Sequence, residues 1–170
     1  MKKSKPRRKP AQHPKRERSA AVAGRQALRK AGGKAKQPRS GRRESLAFAK
    51  ALVAAALAKK ALQPVLIDVT GRASYADFIA VVSGRSDRQV EAIAEGVCEA
   101  MAAVGRRPLG REGARNGRWV LIDFGDVVLH VFYQPLREVF DIESLWIDAP
   151  RVKIQVPPEA RLPSDGRSLT

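Results

Sequence analysis

Apolar residues between Glu44 and Leu62 recur at helical spacing: Leu46, Ala49, Leu52, Val53, Ala56 and Leu57 line one face of a run rich in strong helix formers. The pattern predicts a first helix here, stopped by Pro64. "VLIDV" then reads as a strand of β-branched and aliphatic residues, ending before a turn at Gly71. "DFIAVVSG" is apolar on consecutive residues, the pattern of a central strand covered on both faces. In "SDRQ", Ser86 and Gln89 have capping-box spacing and open a second helix. Its core stripe is Val90, Ile93, Ala94, Val97, Met101 and Val104, and Gly105 stands where a left-handed C-terminal cap belongs. "RRPLGREG" follows as a short extended segment, and "PLREVFDIESLW" predicts one or two short helices marked by Leu136, Val139, Phe140 and Leu145.

Between these lies "GRWVLIDFGDVVLHVF", two strands folded back on Gly125 and Asp126. A two-residue turn with Gly first suits a type II′ hairpin and pairs 124 with 127, 122 with 129 and 120 with 131. Period two then puts Val120, Ile122, Phe124, Val127, Leu129 and Val131 on one wholly apolar face. The other face carries Trp119, Leu121, Asp123, Val128, His130 and Phe132. The order helix, strand, strand, helix, three strands, helix predicts a single small α/β domain with a mixed sheet of about five strands flanked by helices.

Charge divides the chain. The first 43 residues hold 17 basic side chains and one acid, Glu17, so they account for the whole net charge of +16. From residue 44 onward the charges balance. This N-terminal stretch, with four prolines and almost no large apolar residue, is expected to be a disordered basic tail. Any nucleic-acid affinity is expected mainly from it, through residues such as Lys2, Lys3, Arg7, Arg8, Arg16, Arg42 and Arg43. An Arg-rich, acid-poor start also has the composition of an organelle transit peptide, the alternative to a cytoplasmic protein. After Pro150 the Pro-rich, polar composition predicts a second flexible tail over residues 151 to 170.

One cysteine, Cys98, excludes an intrachain disulfide and, with no Cys or His cluster, a zinc site of the usual spacing. No uninterrupted apolar run of 18 residues offers a membrane span, and nothing in the sequence calls for a cofactor. The mixed hairpin face is the first functional candidate. Its residues leave two readings open: an anchor surface for another macromolecule, or a face covered by a helix with Asp123 and His130 as a satisfied buried pair. Catalysis is less supported, since no nucleophile joins Asp123 and His130 and Cys98 sits beside a core stripe. "SGRS" (83 to 86) could hold a phosphate at a helix start, but it lacks the glycine spacing of nucleotide loops and reads more simply as a capping turn.

The segments "SYADFIAVVSGRSDRQVEAIAEGV", "PLGREG", "WVLIDFGDVVLHVF" and Leu145, Trp146, Asp148, Ala149, Pro150 together resemble the Iojap family of ribosomal silencing factors, RsfS. The resemblance covers about residues 44 to 150. It implies a nucleotidyltransferase-like topology without the catalytic groups, and no enzymatic reaction. It implies binding to the large ribosomal subunit through ribosomal protein L-fourteen, which blocks joining of the small subunit and represses translation, with a role in large-subunit biogenesis compatible with the same site. Carried over, the partner surface comprises Trp119, Leu109, Gly110, Glu112, Asp123, Asp126, His130 and Phe140, although Asp126 belongs to the turn by register. Trp119→Ala would then weaken subunit binding by about 2 kcal/mol or more and leave the fold intact. Two departures stand out: Arg85 where the family usually has Thr, and Phe140 where it usually has Tyr. A nucleotide-handling enzyme and a nonspecific RNA binder acting through the tail are the rival readings. The sequence leaves homodimerisation open.

Overall fold

The computed structural model describes residues 41–113 and 117–161. The basic tail up to residue 40 and residues 162–170 lie outside the described part. Helix α1 spans Arg42–Ala58, strand β1 Leu62–Asp68, β2 Phe78–Gly84, helix α2 Asp87–Ala103 and β3 Gly110–Gly113. Strands β4, Trp119–Asp123, and β5, Val127–Tyr133, form the hairpin. Helix α3, Gln134–Phe140, runs into a short 3₁₀ turn over Ile142–Trp146. The predicted element order is reproduced.

The five strands form one mixed sheet in the order β1-β2-β5-β4-β3, with β2 parallel to β5 and the other pairs antiparallel. The hairpin register is the predicted one, with Val120 opposite Val131 and Ile122 opposite Leu129. Phe124 N–H closes the turn on Val127 at 3.0 Å, and Gly125 takes a φ of 91° that suits glycine. Strand β2 is buried on both faces, as its unbroken apolar run requires.

Period two gives the sheet two apolar faces. Val120, Ile122, Phe124, Val127, Leu129 and Val131 pack under α1 and the predicted α2 stripe. The Ser86 hydroxyl accepts the Gln89 N–H at 3.2 Å and so caps α2. At the other end Gly105, φ 77°, donates to Ala102 while Arg106 donates to Met101, a paired motif that closes the helix. Val104 is 67 % exposed, not core, because the helix has ended one residue before it. Val139 and Leu145 are likewise exposed. The short α3 and 3₁₀ turn bury Ile142 and tuck Phe140 and Trp146 partly under, leaving these two outside.

Three boundaries differ from the sequence reading. The first helix, expected to run to Leu62 and stop at Pro64, ends at Ala58 before the left-handed Lys60. Leu62 and Pro64 lie inside β1, where the register shifts between Leu62 and Val65 and Gln63 adopts a φ of 47°; an irregular strand at the end of the strand order tolerates a residue that cannot donate. Arg42 and Arg43, placed in the tail, open α1, and the Arg42 guanidinium is engaged by Asp68. Finally, the chain after Pro150 does not leave the fold at once: Arg151 bridges Ile67, and Val152 N–H donates to Leu66 at 2.8 Å. Ile154 packs against the helical layer, and Ala160 is buried.

Candidate functional site: the mixed face of the hairpin and its rim

The second sheet face is covered. Trp119, Leu121, Val128 and Phe132 join Ile67, Ile79 and Val81 in a second apolar cluster, closed by Ala73, Ala76, Ile142 and Ala149, with Tyr75, Phe140 and Trp146 at its margin. Trp119 is 7 % exposed and His130 wholly buried. The cross-strand pairing of Trp119 with Phe132 and the alternation along β5 set three rings side by side. Their planes lie within 7° of parallel, and their centroids are 5.8 to 6.1 Å apart. Phe140, carried by α3, leans on Trp119 and Phe132 at 5.3 and 5.4 Å.

Chemically the cluster is a neutral one. The indole N–H of Trp119 donates to His130 Nδ1 at 3.3 Å, which leaves the imidazole proton on Nε2. Nε2 is buried and has no hydrogen-bond partner among the described residues. Burial pushes the His130 pKa down to about 4. His130 and Asp123 do not form the buried pair considered from sequence: His130 turns to Trp119, while an Asp123 carboxylate oxygen accepts the Gly125 N–H at 2.8 Å and ties the turn.

A test follows from the direction of this shift. An unfolded histidine takes up its proton near pH 6.5 but the folded one only near 4, so its contribution is complete above 6.5 and disappears as pH falls toward 4. Urea unfolding should therefore show a loss of about 3 kcal/mol across that window. His130→Phe should flatten this part of the profile. An equally steep profile in that variant would assign the acid sensitivity elsewhere.

The remaining candidates lie apart from the aromatic cluster. Asp126 is buried on the helical side, where the Ser45 hydroxyl lies 3.3 Å from it and 3.2 Å from Asp77, and Arg106 reaches it at 3.3 Å. The same guanidinium sits 4.1 Å above the Phe48 ring. The Asp126 carbonyl accepts the N–H groups of Asp77 and Phe78, so this residue knits the turn to β2. Leu109 and Gly110 are half-buried and Glu112 is exposed, along β3 at the end of the sheet. Glu112 is opposite Leu121 and so shares the Trp119 face.

Two structural groups escaped the sequence reading. The Ser45, Asp77, Asp126, Arg106 cluster joins residues far apart in the chain, and no spacing announces it. Arg137 is the other: a buried guanidinium in α3 that holds Glu143, the Gln63 carbonyl and the Ser83 hydroxyl. Cys98 is half-buried against the helical layer, with its thiol pKa raised chiefly by burial. Among the described residues no group of three or more His, Cys, Asp or Glu could hold a metal ion, and no helix is long and apolar enough to cross a membrane.

Fold and site together define a small mixed-sheet α/β domain whose candidate surface is an exposed sheet edge beside a buried aromatic cluster. The family model described as "Ribosomal silencing factor during starvation", RsfS, matches residues 42–168. A ribosomal silencing factor RsfS from Halalkalibacterium halodurans is 41% identical over 97 residues, covering 57% of this chain and 83% of that protein. One from Bacillus subtilis is 39% identical over 100 residues, covering 58% and 85%. The crystal structure of a Chromobacterium violaceum protein superposes with a TM-score of 0.58 at 31% identity, covering 69% of this chain and 95% of that one. The chain belongs to the RsfS family of ribosomal silencing factors.

Proposed function

We propose that this protein represses translation by binding the large ribosomal subunit and excluding the small subunit from the same face. The observation that carries this reading is the family match across the whole described fold. The partner within the subunit is ribosomal protein L-fourteen, and silencing is steric: occupancy blocks joining, and no bond is made or broken. The contact runs along β3, through Leu109, Gly110 and Glu112, and onto the margin of the aromatic cluster at Phe140 and Trp119. Burial divides the roles. His130 and most of Trp119 shape the surface from beneath, Asp123 and Asp126 hold the turn beside it, and Glu112 is the exposed charge that a basic partner would read.

The basic tail over residues 1 to 40 adds a sequence-independent, salt-sensitive attraction to ribosomal RNA. The protein acts in the cytoplasm, or in an organelle if that tail serves as a transit peptide, and participation in large-subunit assembly uses the same site. Cosedimentation of the full chain with purified large and small subunits at moderate salt tests the reading. Selective recovery with the large subunit is expected. Glu112→Arg should reduce it about tenfold, with thermal stability unchanged because Glu112 is exposed and makes no ion pair with a described residue. Equal recovery with both subunits would mean that the tail alone binds, and undiminished selectivity in Glu112→Arg would remove β3 from the contact.

A further inference from the structure

Helices α1 and α2 end in the same way, but with different residues. After α2, Gly105 occupies the left-handed position, with its own N–H on Ala102 and the Arg106 N–H on Met101. After α1, Lys60 occupies it at φ 60°, with Lys60 N–H on Leu57 at 2.8 Å and Ala61 N–H on Ala56 at 3.1 Å. Glycine enters this conformation freely, and a lysine does so at a cost. Gln89 fixes where that lysine stands. Its side-chain N–H donates to the Lys60 carbonyl at 2.9 Å, and its side-chain oxygen accepts the Arg85 N–H at 2.8 Å. One carboxamide thus joins the α1 end to the turn before α2 and brings Lys60 and Arg85 together, with Arg88 in the turn that follows.

Lys59 extends the group. Gly96 is buried in α2, and a Cβ there would run into the Lys59 stem, so the missing side chain leaves the track along which Lys59 crosses the helix. Lys59, Lys60, Arg85 and Arg88 are all exposed. Of the acids in the first two turns of α2, Asp87 faces Arg118 at 3.7 Å and Glu91 is held by Arg111; Glu95 and Glu99 stand farther along the helix. None of the four cations has an ion-pair partner among the described residues. The exposed large apolar residues, Val104, Val139, Leu145 and Ile147, all lie on other segments.

The geometry points to a phosphate-reading patch in the folded domain itself, formed by Lys59, Lys60, Arg85 and Arg88, that lies on RNA of the large subunit. It rests on the ribosome-binding reading above and adds a second contact, separate from both β3 and the basic tail. RNA is favoured over an acidic protein because the patch is cationic with no exposed large apolar residue among its members. A protein interface has an apolar core, whereas a phosphate backbone is held by charge alone. From residue 44 onward the chain carries balanced charge, so this concentration is a local separation of charge and not a general excess.

The test uses the full chain and purified large subunits over a range of salt concentrations. Lys60→Gln, Arg85→Gln and Arg88→Gln are combined; Lys59 is kept because its stem packs on Gly96. The tail is unchanged in all proteins, so differences report the patch. The triple variant should bind at least tenfold more weakly at low salt, and the slope of log affinity against log salt should fall by about 3. A control with Lys50, Arg72 and Lys153 changed to Gln should match the parent protein. Weaker binding with an unchanged slope would mean that an uncharged or protein contact was lost and would overturn the assignment to RNA. Unchanged affinity and slope, with selective large-subunit binding intact, would overturn the patch while sparing the silencing reading. If the parent chain itself shows no preference for the large subunit, that reading fails and the patch fails with it.

Discussion

Replacing Arg137 with alanine should destabilise the domain by about 3 kcal/mol or more, the cost of leaving a half-buried ion-pair partner and two polar groups without the guanidinium that serves them. The Arg137 guanidinium donates to Glu143 from two nitrogens, at 2.8 and 2.5 Å, and from the third to the Gln63 carbonyl at 2.6 Å and the Ser83 hydroxyl at 3.0 Å. Those partners lie on the 3₁₀ turn, the irregular start of β1 and the end of β2, so one side chain pins the thin α3 cover to the sheet. Truncation strands a half-buried carboxylate, a carbonyl and a hydroxyl together. Thermal unfolding should show a drop of roughly 10 to 20 °C. Arg137→Lys should recover only part of it, because an ammonium cannot serve three sites in the planar fork geometry. A drop of less than a few degrees in Arg137→Ala would show that the cover holds without its clamp.

The clamp also marks where sequence reading stops. Periodicity is a local property, and most of what it governs was legible: the α2 cap at Ser86, the Gly105 terminus, the buried run of β2 and the hairpin register, though not the exposure of Val104 beyond the α2 end. Those features depend on residues within a turn or a strand pair of each other. The register even separated the two sheet faces correctly. What covers the second face was not legible, because α3, the 3₁₀ turn and the β1 to β2 loop close it through Ala73, Ala76, Ile142 and Ala149, small or isolated apolar residues with no period of their own. Pro64 misled for a related reason. It reads as the stop of the first helix, yet it lies within β1, and only the strand order reveals that β1 stands at the end of the sheet, where a residue without an N–H is tolerated. The candidate residues were found as a set by family resemblance, but the set proves to occupy three environments. Composition could not distinguish buried Trp119 and His130 from exposed Glu112 or from Asp126 in its polar cluster on the helical side.

Trp119 is where this distinction has the largest consequence. The family resemblance treats it as a surface anchor whose removal leaves the fold intact, yet at 7 % exposure it is packed against His130, Phe132 and Phe140. Trp119→Ala should therefore lower stability by about 3 to 5 kcal/mol through lost packing and the cavity left behind, and it removes the donor that fixes the His130 tautomer. Subunit binding measured on that variant would mix unfolding with loss of contact. Trp119→Phe separates them: it keeps a ring in the stack while deleting the N–H and part of the indole volume, for an expected cost of about 2 to 3 kcal/mol, less than that of truncation to alanine. If the phenylalanine variant folds and still binds the large subunit as the parent does, Trp119 supports the surface from beneath. A folded Trp119→Phe protein whose affinity falls tenfold or more would instead mean that the indole edge is read by the partner through its small exposed margin. A Trp119→Ala protein with unchanged thermal stability would contradict the packing itself and return the residue to the role of a free anchor.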